Sequence, residues 1–263
     1  MHKLGQALDA GRIGLGLFTA IRDPNFAEML GCLGYDFIVI DMEHIALDIS
    51  SAENMMRAAQ LYGTAALVRT PAGDLATVSR VLDNGADGVM IPHVMTPEQL
   101  QRVIAVAKYR PIGQRGIDDA NRAGRFGMFP MSENMRTQNA KNLVIGMIED
   151  QAAVEHIDEL LAVPGLDALY IGTADLAADL GVPDEMGHPT VEALKAHVFE
   201  RGLAAGVPVG TSAWGDDAVR HVADMGARLI AVPDLDMLFV AKALEEQLKG
   251  AQRVLSCREG SGA

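Results

Sequence analysis

Cysteine, lysine, aromatic residues and long uncharged runs are all scarce in this sequence, and each scarcity excludes something. The two cysteines, Cys32 and Cys257, stand near opposite ends of the 263-residue chain and make no disulfide framework. No stretch of about eighteen residues is free of Asp, Glu, Lys and Arg. The longest gap, Gly202 to Gly215, is broken by Gly, Pro, Thr and Ser, so no membrane-spanning helix is expected. Positive charge is in deficit, with 22 Lys and Arg against 35 Asp and Glu and a net charge of −13. Without a basic run, neither a phosphate backbone nor an anionic lipid surface meets a complementary field, so nucleic acid and membrane are not expected partners. The opening Met-His-Lys-Leu-Gly-Gln lacks the apolar core of a signal peptide, and the expected compartment is the cytoplasm.

What is present is a recurrence. Gly34-Tyr-Asp-Phe-Ile-Val-Ile, Gly85-Ala-Asp-Gly-Val-Met-Ile, Gly165-Leu-Asp-Ala-Leu-Tyr-Ile and Gly226-Ala-Arg-Leu-Ile-Ala-Val each place a helix-ending glycine before a short apolar run. An unalternated apolar run suits a strand buried on both faces, which means parallel strands covered by helices. Residues 13–18, 65–69, 143–148 and 207–211 are runs of the same kind. Helical periodicity fills the intervals at 24–33, 51–61, 75–82, 97–107, 152–161, 191–205, 216–225 and 235–248. Eight strands alternating with helices predict a single-domain (β/α)₈ barrel over residues 1–250, with 251–263 as a frayed tail. An open doubly wound sheet also alternates, but its glycine-rich fingerprint is missing after the first strand. Residues 109–130 form one long irregular segment, expected to be a lid, an interface or both.

A barrel of this type collects its reactive groups past the carboxyl ends of the strands. The second apolar run delivers Asp41, Glu43 and His44, the third Arg69, the fourth His93, and the fifth Glu149 and Asp150. The sixth runs through Gly172, Thr173 and Ala174 to Asp175; the seventh delivers Thr211 and Ser212, and the eighth Asp234. Glu149 and Asp175, carboxylates at the ends of neighbouring strands, are the candidate ligands for Mg²⁺ or Mn²⁺, although either also suits a helix cap. Arg69 can pair with a carboxylate, including Asp41 or Glu43, or stabilise a developing oxyanion. His44 can act as acid or base if a carboxylate such as Asp83 orients it. The helix opening at Ala174 offers backbone N–H groups to a substrate carboxylate. None of Lys3, Lys108, Lys141, Lys195, Lys242 and Lys249 ends a strand, which disfavours a Schiff-base mechanism.

Six blocks carry a resemblance: 36–44 (Asp-Phe-Ile-Val-Ile-Asp-Met-Glu-His), 68–71 (Val-Arg-Thr-Pro), 82–92, 115–116 (Arg-Gly), 147–150 (Met-Ile-Glu-Asp) and 171–181. In this order and spacing, from about residue 10 to 240, the chain resembles the HpcH/HpaI family of metal-dependent class II pyruvate aldolases. The resemblance implies a (β/α)₈ barrel, a divalent Mg²⁺, Mn²⁺ or Co²⁺ ion, pyruvate as one substrate half and an aldehyde as the other. It also implies a hexamer, a trimer of dimers that exchange their last helix. By position it makes Glu149 and Asp175 the metal ligands and places Arg69 on the pyruvate keto or enolate oxygen. His44 with Asp83 becomes the acid/base dyad supported by Asp41, and Gly172, Thr173 and Ala174 bind the pyruvate carboxylate. Phe18 and the 110–130 loop are expected to line the aldehyde pocket, partly from a neighbouring subunit. Met147, Phe18, Pro233 and Gly116-Ile-Asp-Asp depart from common family residues without touching the metal site. Related chemistries implied by the same family are oxaloacetate decarboxylation and citrate-lyase-β-type acyl-CoA cleavage. A non-catalytic barrel that binds a metal or oxo acid is the alternative of another class.

Overall fold

The computed structural model describes residues 2–259. Eight parallel strands close a barrel in sequence order: β1 (Gly14–Thr19), β2 (Phe37–Asp41), β3 (Ala65–Arg69), β4 (Gly88–Ile91), β5 (Leu143–Ile148), β6 (Ala168–Ile171), β7 (Val209–Ser212) and β8 (Leu229–Leu235). The helices are α1 (Lys3–Asp9), α2 (Pro24–Leu33), α3 (Ile49–Gln60), α4 (Leu75–Asp83), α5 (Pro97–Ala107), α6 (Met131–Lys141), α7 (Gln151–Glu155), α8 (Ile157–Leu161), α9 (Thr173–Asp179), α10 (Pro189–Ala205), α11 (Asp216–Asp224) and α12 (Asp236–Glu259). The (β/α)₈ expectation is met strand for strand.

The strands read as unbroken apolar runs because both faces are covered. In β2, Phe37 and Val39 enter the barrel interior beside Leu67, Met90, Ile145 and Tyr170, while Ile38 and Ile40 pack outward against the helices. Gly16 on β1 is required by this interior: a Cβ there would sit 2.4 Å from the Phe37 ring. At the floor, α1 inserts Leu4 among the inner residues.

The recurring Gly-x-Asp motif has a structural role at the amino end of the barrel. Asp36 accepts the Leu15 N–H, Asp87 the Ala66 N–H and Asp167 the Val144 N–H. Each aspartate therefore ties the start of one strand to the strand before it. The glycine supplies the left-handed turn that lets the chain leave the helix, as at Gly34 with φ 100°.

Two expectations need correction, and one helix carries no periodic sequence signal. The 109–130 segment follows α5, whose last residue lies at the amino ends of the strands because barrel helices run antiparallel to them. It is packed there by Arg115, which bonds Asp83, and by the Ala123 N–H, which donates to the Asp83 carbonyl. It is not a lid over its own chain's catalytic mouth. The 131–141 stretch is helical although it lacks an apolar stripe, and its buried residues are Asn134 and Gln138. The predicted tail boundary at residue 250 falls inside α12, which continues to Glu259; residues 260–263 lie outside the described residues.

Among the described residues no helix is long and apolar enough to cross a membrane. The α12 surface nonetheless leaves Leu244, Leu248, Val254 and Leu255 exposed.

Candidate active site

Strand register brings the charged residues together. Asp41 and Arg69 are partners at the ends of β2 and β3. The guanidinium donates from Nε to Asp41 Oδ1 at 3.0 Å and from Nη2 to Oδ2 at 2.8 Å, with Glu43 Oε2 3.4 Å from Nε. Burial works against the Arg69 charge, but Asp41, Glu43 and Glu149 outweigh it and hold the group ionised. Arg69 also lies over the Phe18 ring, with Cζ 5.0 Å from its centroid. Phe18 meets Tyr170 edge-on at 5.5 Å, and the Tyr170 hydroxyl lies 2.8 Å from Ser212 Oγ.

Glu149 follows β5 and Gly172 follows β6, whose ends are in register at Ile148 and Ile171. A Cβ at Gly172 would sit 2.5 Å from Glu149 Oε1, so the glycine is the space in which that carboxylate rests. Glu149 is 2 % exposed. Burial pushes its carboxyl up to about 7, opposed by the His93 N–H and ring and reinforced by the nearby Asp175 charge. A desolvated carboxylate beside a second one is a hard-oxygen pair that fits a divalent cation, although the His93 ring, with Nδ1 3.9 Å from Glu149 Oε2, already offsets part of its charge. Among the described residues no three His, Cys, Asp or Glu side chains form a metal-holding cluster. A cation here would have two protein ligands and would take its other ligands from water or substrate oxygens.

These groups share a cavity of about 600 Å³ lined by Phe18, His44, Arg69, Glu149, Gly172 and Asp175. Thr173 and Ala174 also line it. The Gly172 N–H donates to the Ile148 carbonyl, so of the three predicted carboxylate binders only Thr173 and Ala174 have N–H groups in the unbonded first turn of α9.

Two predicted roles change. Asp83 closes α4 at the amino end of the barrel and is bonded by Arg115, whereas His44 follows β2 at the carboxyl end. One chain therefore does not bring them together, since the strands between them span about 17 Å. The nearest acid to the His44 ring is Glu43, with Oε2 3.7 Å from Nε2. Asp41 acts on Arg69 and on the turn, accepting the Glu43 N–H at 2.9 Å and the His44 N–H at 3.4 Å, rather than on the imidazole.

The strand-by-strand inventory missed groups that helices bring in. Lys195 from α10 and Lys242 from α12 line the cavity, together with Trp214 and His221. Lys195 is ion-paired with Glu192 at 2.8 Å, and Lys242 stands 4.1 Å above the Trp214 ring.

Comparison with known proteins agrees with this architecture. The model of the HpcH/HpaI aldolase/citrate lyase family matches residues 14–233. The 5-keto-4-deoxy-D-glucarate aldolase of Citrobacter koseri is 35% identical over 232 residues, covering 88% of this chain and 89% of that protein. The structure of an HpcH/HpaI aldolase/citrate lyase family protein from Burkholderia cenocepacia superposes with a TM-score of 0.88 at 33% identity, covering 96% of this chain and all of that one. Citrate synthase SbnG gives a TM-score of 0.88 at 29% identity, covering 96% and 98%. Taken with the barrel and the acidic pair at its mouth, these matches show that the chain belongs to the HpcH/HpaI aldolase/citrate lyase family and is a carbon–carbon lyase.

Proposed function

We propose that the protein is a class II aldolase that reversibly cleaves a 4-hydroxy-2-oxo acid into pyruvate and an aldehyde. The observation that carries this reading is the convergence of Glu149, Asp175 and Arg69 on one cavity. Glu149 and Asp175 would hold Mg²⁺, Mn²⁺ or Co²⁺, which when bound supplies Lewis acidity toward the 2-oxo acid.

This chain's own residues do the rest. The Thr173 and Ala174 N–H groups, at the start of α9, receive the pyruvate carboxylate. Arg69, its fork held by Asp41, directs its remaining donors to the C2 oxygen, where negative charge grows as the C3–C4 bond breaks. His44 takes the proton of the C4 hydroxyl; the hydroxyl oxygen becomes the aldehyde carbonyl and the bonding pair passes to C3, giving the pyruvate enolate. Protonation at C3 completes cleavage, and synthesis runs the same transfers backward. Phe18 forms the apolar floor beneath Arg69.

His44 needs an orienting carboxylate, and Asp83 can supply it only from a neighbouring copy. The exposed apolar residues of α12 support such an assembly, which would be the hexamer, a trimer of dimers, that the family resemblance implies. The aldehyde half would be hydroxylated or acidic, since Ser212, Asp234, Lys195 and Lys242 line the far side of the cavity. The relatives' named substrate, 5-keto-4-deoxy-D-glucarate, has this character. The cytoplasm is the proposed compartment.

The test is exchange of the pyruvate methyl protons for deuterium with Mn²⁺ or Mg²⁺ present, followed by an aldehyde screen read by product mass. Exchange abolished by EDTA, with an aldol product, supports the reading. No exchange with either metal favours a binding barrel, and exchange with carbon dioxide release from oxaloacetate but no aldol product favours a decarboxylase.

A further inference from the structure

His93 interrupts the barrel at a single point. Ile91 at the end of β4 still pairs with Gly146, and the Val94 N–H returns to the Met147 carbonyl, so the chain leaves the ladder and rejoins it around this residue. His93 takes φ 51°, left-handed backbone that a residue with a Cβ rarely adopts. That conformation aims its N–H at Glu149 Oε2, 2.9 Å away. The ring is held in turn, with Nδ1 3.2 Å from Asp150 Oδ2. The other carboxylate oxygen, Oε1, rests over Gly172.

A left-handed non-glycine residue is strained and persists only where its surroundings hold it. Here the surroundings are the ring's contact with Asp150, the residue that follows Glu149. His93 and the 149–150 pair therefore grip each other twice, once through backbone and once through side chain. We infer that His93 is a positioning residue that sets the orientation of the Glu149 carboxylate toward the cation. This rests on the proposed role of Glu149 as a ligand. The strained backbone is then the means by which a fixed N–H removes one carboxylate rotamer freedom from the site.

The physics of the variants separates this role from plain support. His93→Ala removes the ring and keeps a Cβ, so the backbone relaxes away from the left-handed region and the N–H leaves Glu149. His93→Gly removes the ring that holds the backbone to Asp150; glycine tolerates the left-handed conformation but is not confined to it, so its N–H is no longer fixed on Glu149 while the fold is at least as stable as that of His93→Ala. His93→Asn tolerates the left-handed region and places its amide nitrogen near the position of Nδ1, within reach of Asp150.

Mn²⁺ affinity, measured on the whole protein by the loss of the free-ion electron paramagnetic resonance signal, reads the effect without turnover. Wild type should bind, Ala and Gly variants should bind about tenfold or more weaker, and Asn should remain within about threefold. Adding His93→Ala to Glu149→Gln should weaken binding no further, since His93 acts through Glu149. Thermal melting in EDTA checks that each variant folds, and His93→Gly carries the test if His93→Ala does not. Wild-type binding matched by the Ala and Gly variants overturns the inference while leaving the ligand role intact. Failure of the wild type to bind Mn²⁺ overturns the ligand role and this inference with it.

Discussion

Arg69 and Asp41 are register partners on adjacent strands and hold each other through two parallel hydrogen bonds of 3.0 and 2.8 Å. The same fork that neutralises Asp41 fixes the direction of the remaining guanidinium donors. Arg69→Lys keeps the charge but loses the fork, and turnover should fall by roughly 10²–10³. Arg69→Ala additionally leaves Asp41, 2 % exposed, without its counter-charge. That variant should lose about 3–5 kcal/mol of stability. Deuterium exchange and thermal melting measure the two effects, and wild-type exchange in Arg69→Lys would take the fork out of the reaction.

Gly172→Ala tests the close approach at the acidic pair. Its φ of −85° suits alanine, so the backbone accepts the change, but the new Cβ would sit 2.5 Å from Glu149 Oε1. The carboxylate must move. Mn²⁺ affinity should fall by about tenfold or more while the fold persists, as read by Mn²⁺ titration beside circular dichroism.

The Glu149 carboxyl, raised to about 7 by burial, predicts an inverse pH trend without metal. A carboxyl whose folded value lies above its unfolded value of about 4.3 contributes stability below that value and loses it as pH rises through about 7. In EDTA, wild type should therefore lose melting temperature relative to Glu149→Gln between pH 5 and pH 8. Mn²⁺ should reverse the trend, because only the ionised carboxylate binds and the proton is released. Parallel melting curves for the two proteins in EDTA would place the charge elsewhere.

Asp74 caps α4, accepting the Thr77 N–H at 3.0 Å and the Thr77 hydroxyl at 2.6 Å, and these bonds lower its carboxyl from the ordinary value. Asp74→Ala should cost about 1 kcal/mol at pH 7. A lowered carboxyl contributes stability above its unfolded value and loses it as pH falls through the folded one, so the difference should vanish in acid. Urea unfolding at pH 7 and below pH 3 gives the comparison.

If Asp83 reaches His44 across a subunit boundary, mixing refolded His44→Ala and Asp83→Ala chains should restore part of the activity that each lacks alone, since hybrid assemblies contain some intact sites. No recovery in mixed assemblies would return the orienting role to a residue of the same chain, with Glu43 the first candidate.

The parts legible in the sequence were those written in local chemistry. All eight strands could be read because burial on both faces leaves an unbroken apolar run, as in Phe37–Asp41 and Leu143–Ile148. Arg69, Glu149 and Asp175 could be placed past the carboxyl ends of β3, β5 and β6 from the strand pattern, and the structure has all three lining one cavity. Asp83 and the 109–130 segment lie at the amino mouth because each follows a helix that runs back down the barrel, a direction that chain order alone does not reveal. The helix at Met131–Lys141 escaped because its buried residues are amides rather than a stripe of Leu and Val. The His93 contact with Glu149 runs through a backbone N–H, which no residue type announces.

Asp236 is 2 % exposed, and its carboxylate accepts the Thr19 hydroxyl at 2.6 Å and the Ala20 N–H at 2.9 Å. One side chain near the end of the sequence thus latches the first strand. Because β1 closes the cylinder only through β8, the first strand and the last stretch of the barrel depend on each other, and a truncation before residue 236 removes the latch along with the end of that seam.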